Sequence, residues 1–185
     1  MLIYIHGFNS APNSFKARIT GERMRALGLE AAYRAPALPH RPAKAMALLQ
    51  GLVEQNPNVA LIGSSLGGFY ATHLAERYAL RTVLVNPAVR PYDLLSTQVG
   101  LQTNLYTGEQ YQLTAQHINE LRALEVDAIT PARYLLLTRT GDETLDYRAG
   151  VERYRGARQR VIAGGDHGFA DFGDYLDEVL AFCGV

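Results

Sequence analysis

The stretch "VALIGSSLGGFYATHLA", residues 59–75, runs from an apolar segment through a glycine-bracketed serine pair into a helical pattern. Val59 to Ile62 read as a buried strand, and Leu66 to Tyr78 carry apolar residues at helical spacing with no proline. The serines therefore sit on a sharp strand-to-helix turn. A phosphate loop needs a lysine there, and none occurs between residues 63 and 78. A dinucleotide turn needs glycine at position 65 and an acidic residue about 20 positions later, but the chain has Ser65 and Val85. The remaining pattern is G-x-S-x-G, with Ser65 between Gly63 and Gly67. Such an elbow holds its central residue in strained backbone geometry, at a cost on the order of 1–3 kcal/mol. The positions two before and two after it crowd together, so both want to lack a Cβ. Gly68 lets the helix pack close to the strand, and the helix N-terminus points partial positive charge at Ser65.

Outward from the elbow, short apolar runs alternate with helical patterns. Strands are expected at "LIYI" (2–5), "LEAAYRAPAL" (29–38, stopped by Pro36 and Pro39), "VALIG", "TVLVNP" (82–87), "RYLLLTR" (133–139) and "RVIAG" (160–164). Between them lie helices at "SFKARITGERMRAL", with Ser14 as candidate N-cap, at "AKAMALLQGLVEQ", ending before Asn56 and Pro57, and from Asp174 to Phe182. Alternating strands and helices imply a parallel sheet with right-handed crossovers and helices on both faces. The expected fold is a three-layer, mostly parallel six-stranded α/β domain spanning residues 1–185. Residues 88–130 exceed one crossover, with three tyrosines and a helix around Ala115 to Leu124. They are expected to form a helical, lid-like insertion over the carboxyl ends of the strands, where open α/β sheets place their sites.

Composition narrows the function classes. Eighteen basic and eighteen acidic residues give zero formal charge, so nothing electrostatic favours nucleic acid or an anionic membrane. No segment reaches the roughly 20 apolar residues of a membrane span, and "MLIYIHGF" lacks a signal peptide's basic region. One cysteine, Cys183, excludes an internal disulfide and reads as a packing residue of the last helix. A cytoplasmic location is the expectation.

A serine nucleophile needs a base, and the base needs an orienting acid. His167, in the glycine-rich "AGGDHGFADF" after the sixth strand, lies at the same sheet edge as Ser65. Of the other histidines, His73 faces away on the elbow helix, and His40 has no strand end to fix it. His117 is expected in solvent, and His6 shapes a loop. Asp142 follows a turn glycine at the end of the fifth strand, so Ser65, Asp142 and His167 appear in nucleophile–acid–base order. Asp146 reads as a helix N-cap, Asp166 as a turn former and Glu143 as solvated. The oxyanion hole would take the N–H of Leu66 and that of Phe8, the latter in "YIHGFNSAP" where Gly7 permits the bend. Asn9 and Ser10 offer further hydrogen bonds or simply form the turn before Pro12. Leu94, Leu95, Leu101, Leu105, Tyr106 and Tyr111 either line an apolar acyl slot or pack the insertion onto the body. Arg41 and Arg90 are candidates for a carboxylate or CoA phosphates.

Together "IHGFNS", "GSSLGGFYAT", "NPAVRPYDLL", "TGDETLDY" and "GGDHGF" resemble the α/β-hydrolase superfamily, and within it the compact bacterial YqiA-like esterases. The resemblance covers nearly the whole chain. It implies an α/β-hydrolase fold without metal or cofactor, and hydrolysis of small-molecule acyl esters or thioesters, acyl-CoA included. Its triad maps onto Ser65, Asp142 and His167. Two departures from the larger superfamily stand out: the first two strands of the full fold are missing, and Asn86 occupies the position after the fourth strand where some hydrolases carry the acid. Besides an esterase, the sequence leaves open an acyl-CoA thioesterase and a non-catalytic ligand-binding protein that kept the fold.

Overall fold

The structure is a computed structural model and describes residues 1–56 and 58–185. Pro57, expected to stop the second helix, lies outside the described residues. Six strands form one parallel sheet: β1 (Leu2–Ile5), β2 (Tyr33–Arg34), β3 (Ala60–Ser64), β4 (Arg81–Val85), β7 (Tyr134–Arg139) and β8 (Arg158–Ile162). Their order is β2-β1-β3-β4-β7-β8, so β3, which leads into Ser65, lies centrally between β1 and β4. Because all pairs are parallel, every strand ends at the same edge. The loops after β1, β3, β4, β7 and β8 are thereby gathered at one place.

Alternation along the strands sends successive side chains to opposite faces. Ile3, Ile5, Leu61, Leu84 and Leu136 pack with α2 (Pro42–Glu54), α3 (Leu66–Tyr78) and the insertion. Leu2, Tyr4, Ile62, Val83, Val85, Leu135 and Leu137 pack with α1 (Phe15–Ala26) and α7 (Leu176–Cys183), where Cys183 is buried. Both faces are covered, which explains why the strands read as continuous apolar runs.

Local chemistry sets several boundaries. β2 shrinks to two residues, since Pro36 and Pro39 cannot donate to a ladder and a 3₁₀ turn, Glu30–Ala32, takes the start of the expected strand. Ser14 precedes α1 but its buried hydroxyl makes no capping bond. A 3₁₀ turn over Phe172–Tyr175 takes the first residues expected of the last helix. Between β7 and β8, α6 (Tyr147–Arg153) starts at Asp146, whose carboxylate caps the Arg148 N–H as expected.

Residues 88–130 contain the expected helix, α5 (Ala115–Arg122), and a further short one that the sequence reading did not name, α4 (Pro91–Ser96). Between them lies an antiparallel hairpin that the helical reading did not anticipate: β5 (Gly100–Thr103) and β6 (Gln110–Leu113). Its signal is two-residue alternation, with Tyr111 and Leu113 buried and Gln110 and Gln112 exposed. The Asn104 side chain accepts from the Tyr106 and Thr107 N–H groups, closing the turn. His117, expected in solvent, is 6% exposed: its Nδ1 bonds Thr114 in a reciprocal cap, which draws the ring inward beside His40.

A Cβ on Gly67 would overlap the Ile5 carbonyl, so Gly67→Ala must push α3 off β1. The expected loss is about 1–3 kcal/mol, seen as a Tm drop of roughly 2–4 °C per kcal/mol. Gly51, inside α2 with open space around it, provides the contrast. Gly51→Ala should gain about 0.5–1 kcal/mol, so the two alanines move Tm in opposite directions.

Candidate active site

Ser65 occupies the junction of β3 and α3 with φ +54°, ψ −122°, a region an L residue enters only under strain. The surroundings compel it. A Cβ on Gly63 would stand 2.5 Å from the Gly67 carbonyl oxygen, and one on Gly68 2.7 Å from Pro87 Cβ. The backbone of the elbow is fully engaged: Ser65 N–H donates to Val85 O, and Ser65 O accepts from Gly68 and Ala88 N–H. Ser64 is buried and points elsewhere, toward the Tyr4 hydroxyl.

The sheet edge brings Ser65, His167 and Asp142 into one hydrogen-bonded row. Ser65 Oγ lies 3.1 Å from His167 Nε2, and His167 Nδ1 lies 2.8 Å from Asp142 Oδ2. A carboxylate can only accept, so Nδ1 carries the proton and Nε2 is free to accept from the serine hydroxyl. The Asp142 side chain is almost wholly buried, 1% exposed. Burial alone would raise its pKa; the His167 hydrogen bond, the Leu145 and Thr144 N–H groups and the histidine charge outweigh it and hold the carboxyl below its ordinary value. Phe8 and Leu66 flank Ser65, and among the described residues neither N–H has an acceptor within the protein.

Sequence reasoning underrated the supports of the His167 loop. Asn86, read only as the absence of an acid, donates through Nδ2 to the Asp166 and His167 carbonyls at 3.1 Å each. Its Oδ1 accepts from Arg139 N–H. Glu143, expected to be simply solvated, accepts from the His167 N–H. Lys16 donates to Gly168 O, and burial pulls its ammonium pKa down to about 8 against the opposing pull of Asp166 and Asp142. Arg139, 7% exposed, lies under the loop, over the Phe169 ring, paired with Asp171 and bonded to Ala163 O. Gly165 has φ +74°, and a Cβ there would meet Arg139 Cδ at 2.6 Å. The signals available were an Asn at a strand's carboxyl end and a doubled glycine before the histidine. Asp166 takes the turn role expected of it, accepting from Phe169 N–H.

Other candidates lie elsewhere. His6 is buried, bridging Leu38 N–H and Gly7 O in its loop-shaping role. His73 bonds Leu124 O, and His40 stacks on Tyr111 beside Glu109. Arg41 pairs with Glu120, and Arg90 with Asp93 and the Tyr92 hydroxyl. A cavity of about 410 Å³ opens on Ser65 and His167. Phe8, Leu66, Leu94, Leu95, Leu105 and Leu145 form its apolar walls, and among the described residues no lysine, arginine, aspartate or glutamate lines it. Of the residues read as either lining an acyl slot or packing the insertion, Leu101, Tyr106 and Tyr111 do not line it: Tyr111 is buried, while Leu101 and Tyr106 are 60% and 52% exposed. Among the described residues, no three histidine, cysteine or acidic side chains converge to hold a metal, and no helix is long and apolar enough to cross a membrane.

Comparison with known proteins bears on the fold and the family. The model of a family described as "Uncharacterised protein family (UPF0227)" matches residues 1–184. Among solved structures, α/β hydrolase domain-containing protein 10 from mouse superposes with TM-score 0.73 at 18% identity, covering 97% of this chain and 88% of that one. Est1E from Butyrivibrio proteoclasticus, with ferulic acid bound, gives TM-score 0.68 at 16% identity, covering 97% and 87%. Monoacylglycerol lipase from Paleococcus ferrophilus gives 0.64 at 14%, covering 98% and 93%. At these identities the likeness is one of fold: the chain has the α/β-hydrolase fold.

The depressed Asp142 pKa has a sign that can be checked. A carboxylate held below its ordinary value of 3.8 adds stability that is present above that pH and lost as pH falls through the lowered value. The stability gap between the wild type and Asp142→Asn should therefore be widest near neutrality and close below about pH 4. Denaturant unfolding from pH 7 to pH 3 measures it; a constant gap would mean that the carboxylate is not held below its usual range.

Proposed function

The chain belongs to the UPF0227 family, and from that premise we propose that it is a serine esterase acting on small-molecule carboxylic esters through an acyl-enzyme. One observation carries the reading: the Ser65–His167–Asp142 hydrogen-bond row stands on a strained elbow at the mouth of an apolar, uncharged cavity. In this reading His167 Nε2 takes the Ser65 proton as Oγ attacks the acyl carbonyl carbon. The carbonyl oxygen gains charge and is held by the Phe8 and Leu66 N–H groups, donors of a kind worth about 2.7–4 kcal/mol each. His167 returns the proton to the departing alcohol. Water then enters, gives a proton to the same nitrogen and attacks the acyl carbon, and Oγ leaves with that proton, which frees the acid. Asp142 keeps Nδ1–H facing away from the serine and steadies the imidazolium at each stage.

The cavity favours an oxygen ester over an acyl-CoA thioester. CoA carries several phosphate charges, and its recognition calls for free cations near the mouth. The cavity lining has none, and the two candidate arginines are already engaged, Arg41 with Glu120 and Arg90 with Asp93. A purely binding role is disfavoured by the 3.1 Å approach of Ser65 Oγ to an imidazole nitrogen free to accept its proton. The wall contributed by Leu94, Leu95 and Leu105 supports reading residues 88–130 as the acyl-site cover.

Ser65→Ala should lower kcat by as much as about 10⁶-fold and abolish fluorophosphonate labelling while leaving the fold intact. Kinetics on an oxygen ester and a CoA thioester of one acyl chain should give the larger kcat/KM for the ester. Labelling that survives the substitution would remove Ser65 from its role.

A further inference from the structure

The oxyanion turn is held from the insertion side by a pair of hairpin residues. Gln102 of β5 and Tyr111 of β6 are direct cross-strand partners, so their side chains emerge on one face. Both reach the same carboxamide, that of Asn9: the Tyr111 hydroxyl donates to Oδ1 at 2.8 Å, and Nδ2 donates to Gln102 Oε1 at 3.4 Å. Asn9 directly follows Phe8 and sits at φ +48°, a left-handed conformation uncommon outside glycine though more accessible to Asn than to most residues. One residue on, Ser10 O accepts from Asn104 Nδ2 of the hairpin turn. On its other side the turn is tied to the body, where His6 accepts from Leu38 N–H. Gly7 passes so near the elbow that a Cβ would stand 3.1 Å from Ser65 Cβ. The Phe8 N–H therefore rides on a short span fixed at one end by the body and at the other by the hairpin.

The hairpin also walls the cavity, through Gln102 and Leu105. Resting on the esterase reading, we propose that Tyr111 and Gln102 are positioning residues: through Asn9 they set the Phe8 N–H at the oxyanion, and so tie what fills the cavity to the strength of oxyanion binding. An acyl group that seats against Gln102 without displacing it leaves the donor in place; one that pushes the hairpin outward pulls Asn9 and weakens it. Acyl selectivity then appears in kcat rather than in KM.

Tyr111→Phe tests this, because it keeps the ring that stacks on His40 and removes the hydroxyl alone. With a short-chain p-nitrophenyl ester, kcat should fall about tenfold, less than the 10²–10³ for outright loss of a donor, with KM within about twofold. Asn9→Gly, which removes the carboxamide and relieves the positive φ, should cost a similar factor. The double variant should be no slower than Asn9→Gly alone, since both act through one group. Amide relaxation supplies a reading independent of turnover: the Phe8 N–H order parameter should fall from about 0.85 toward 0.6 in Tyr111→Phe, while that of Leu66 stays rigid. An unchanged kcat, losses that multiply in the double variant, or an unchanged Phe8 order parameter each overturns the proposal. A wild-type protein with no Ser65-dependent ester turnover sinks the esterase reading instead. The relaxation result then decides the hairpin's hold on Phe8 by itself, a fall supporting it and no change overturning it.

Discussion

Where α3 meets β1, the backbone at Gly67 lies against the Ile5 carbonyl with no room for a Cβ between them. Everything at the sheet edge is measured from that approach. It drives the N-terminus of α3 down onto the end of the sheet and forces the chain to reverse within one residue, which holds Ser65 at positive φ. It also draws the loop after β1 against the elbow, so that Phe8 and Leu66 flank the same hydroxyl. The strain at Ser65, on the order of 1–3 kcal/mol, is offset locally: its N–H and carbonyl make three backbone bonds, to Val85, Gly68 and Ala88. Close packing and satisfied polar groups act together here, and neither would hold the corner alone.

The imidazole is fixed by different means. Its loop follows β8, a largely exposed edge strand, and is anchored by the fully buried Phe169 and Phe172. Polar side chains from four other segments do the rest: Asn86 after β4, Arg139 in β7, Glu143 after β7 and Lys16 in α1. Two are cations placed near Asp142, Asp166 and Asp171, which balances the negative charge gathered around the histidine. A loop held in this way is specified by geometry more than by burial. The doubled glycine Gly164–Gly165 belongs to the same arrangement, since the chain has to pass close over the Arg139 side chain at positive φ.

Legibility followed the range of the interactions. The G-x-S-x-G elbow, the apolar strands and the cap at Asp146 are local patterns, set by periodicity and by backbone preference, and the structure has them where the residues pointed. The hairpin over Gly100–Leu113 was harder to read, because its alternation lasts only four residues per strand and its turn is six residues long. His117 was misjudged for a related reason: its burial comes from Thr114 and from a ring on a distant loop. Asn86 offered an identity and a place but no partner, since its partners lie about 50 and 80 residues further on.

By itself the sequence determined the class of fold, the strained serine corner and the short set of residues able to act with it. Those properties arise from side-chain alternation, missing Cβ atoms and chain order, all of which are local or ordinal. Only the tertiary structure decided that Ser65, His167 and Asp142 touch, that Arg41 and Arg90 are engaged elsewhere, and that the hairpin grips Asn9. The Ser65–His167 and Asn9–Tyr111 contacts each span 102 residues, and such contacts are set by how strands order in the sheet and how an insertion folds back on it. No short window of sequence contains that information.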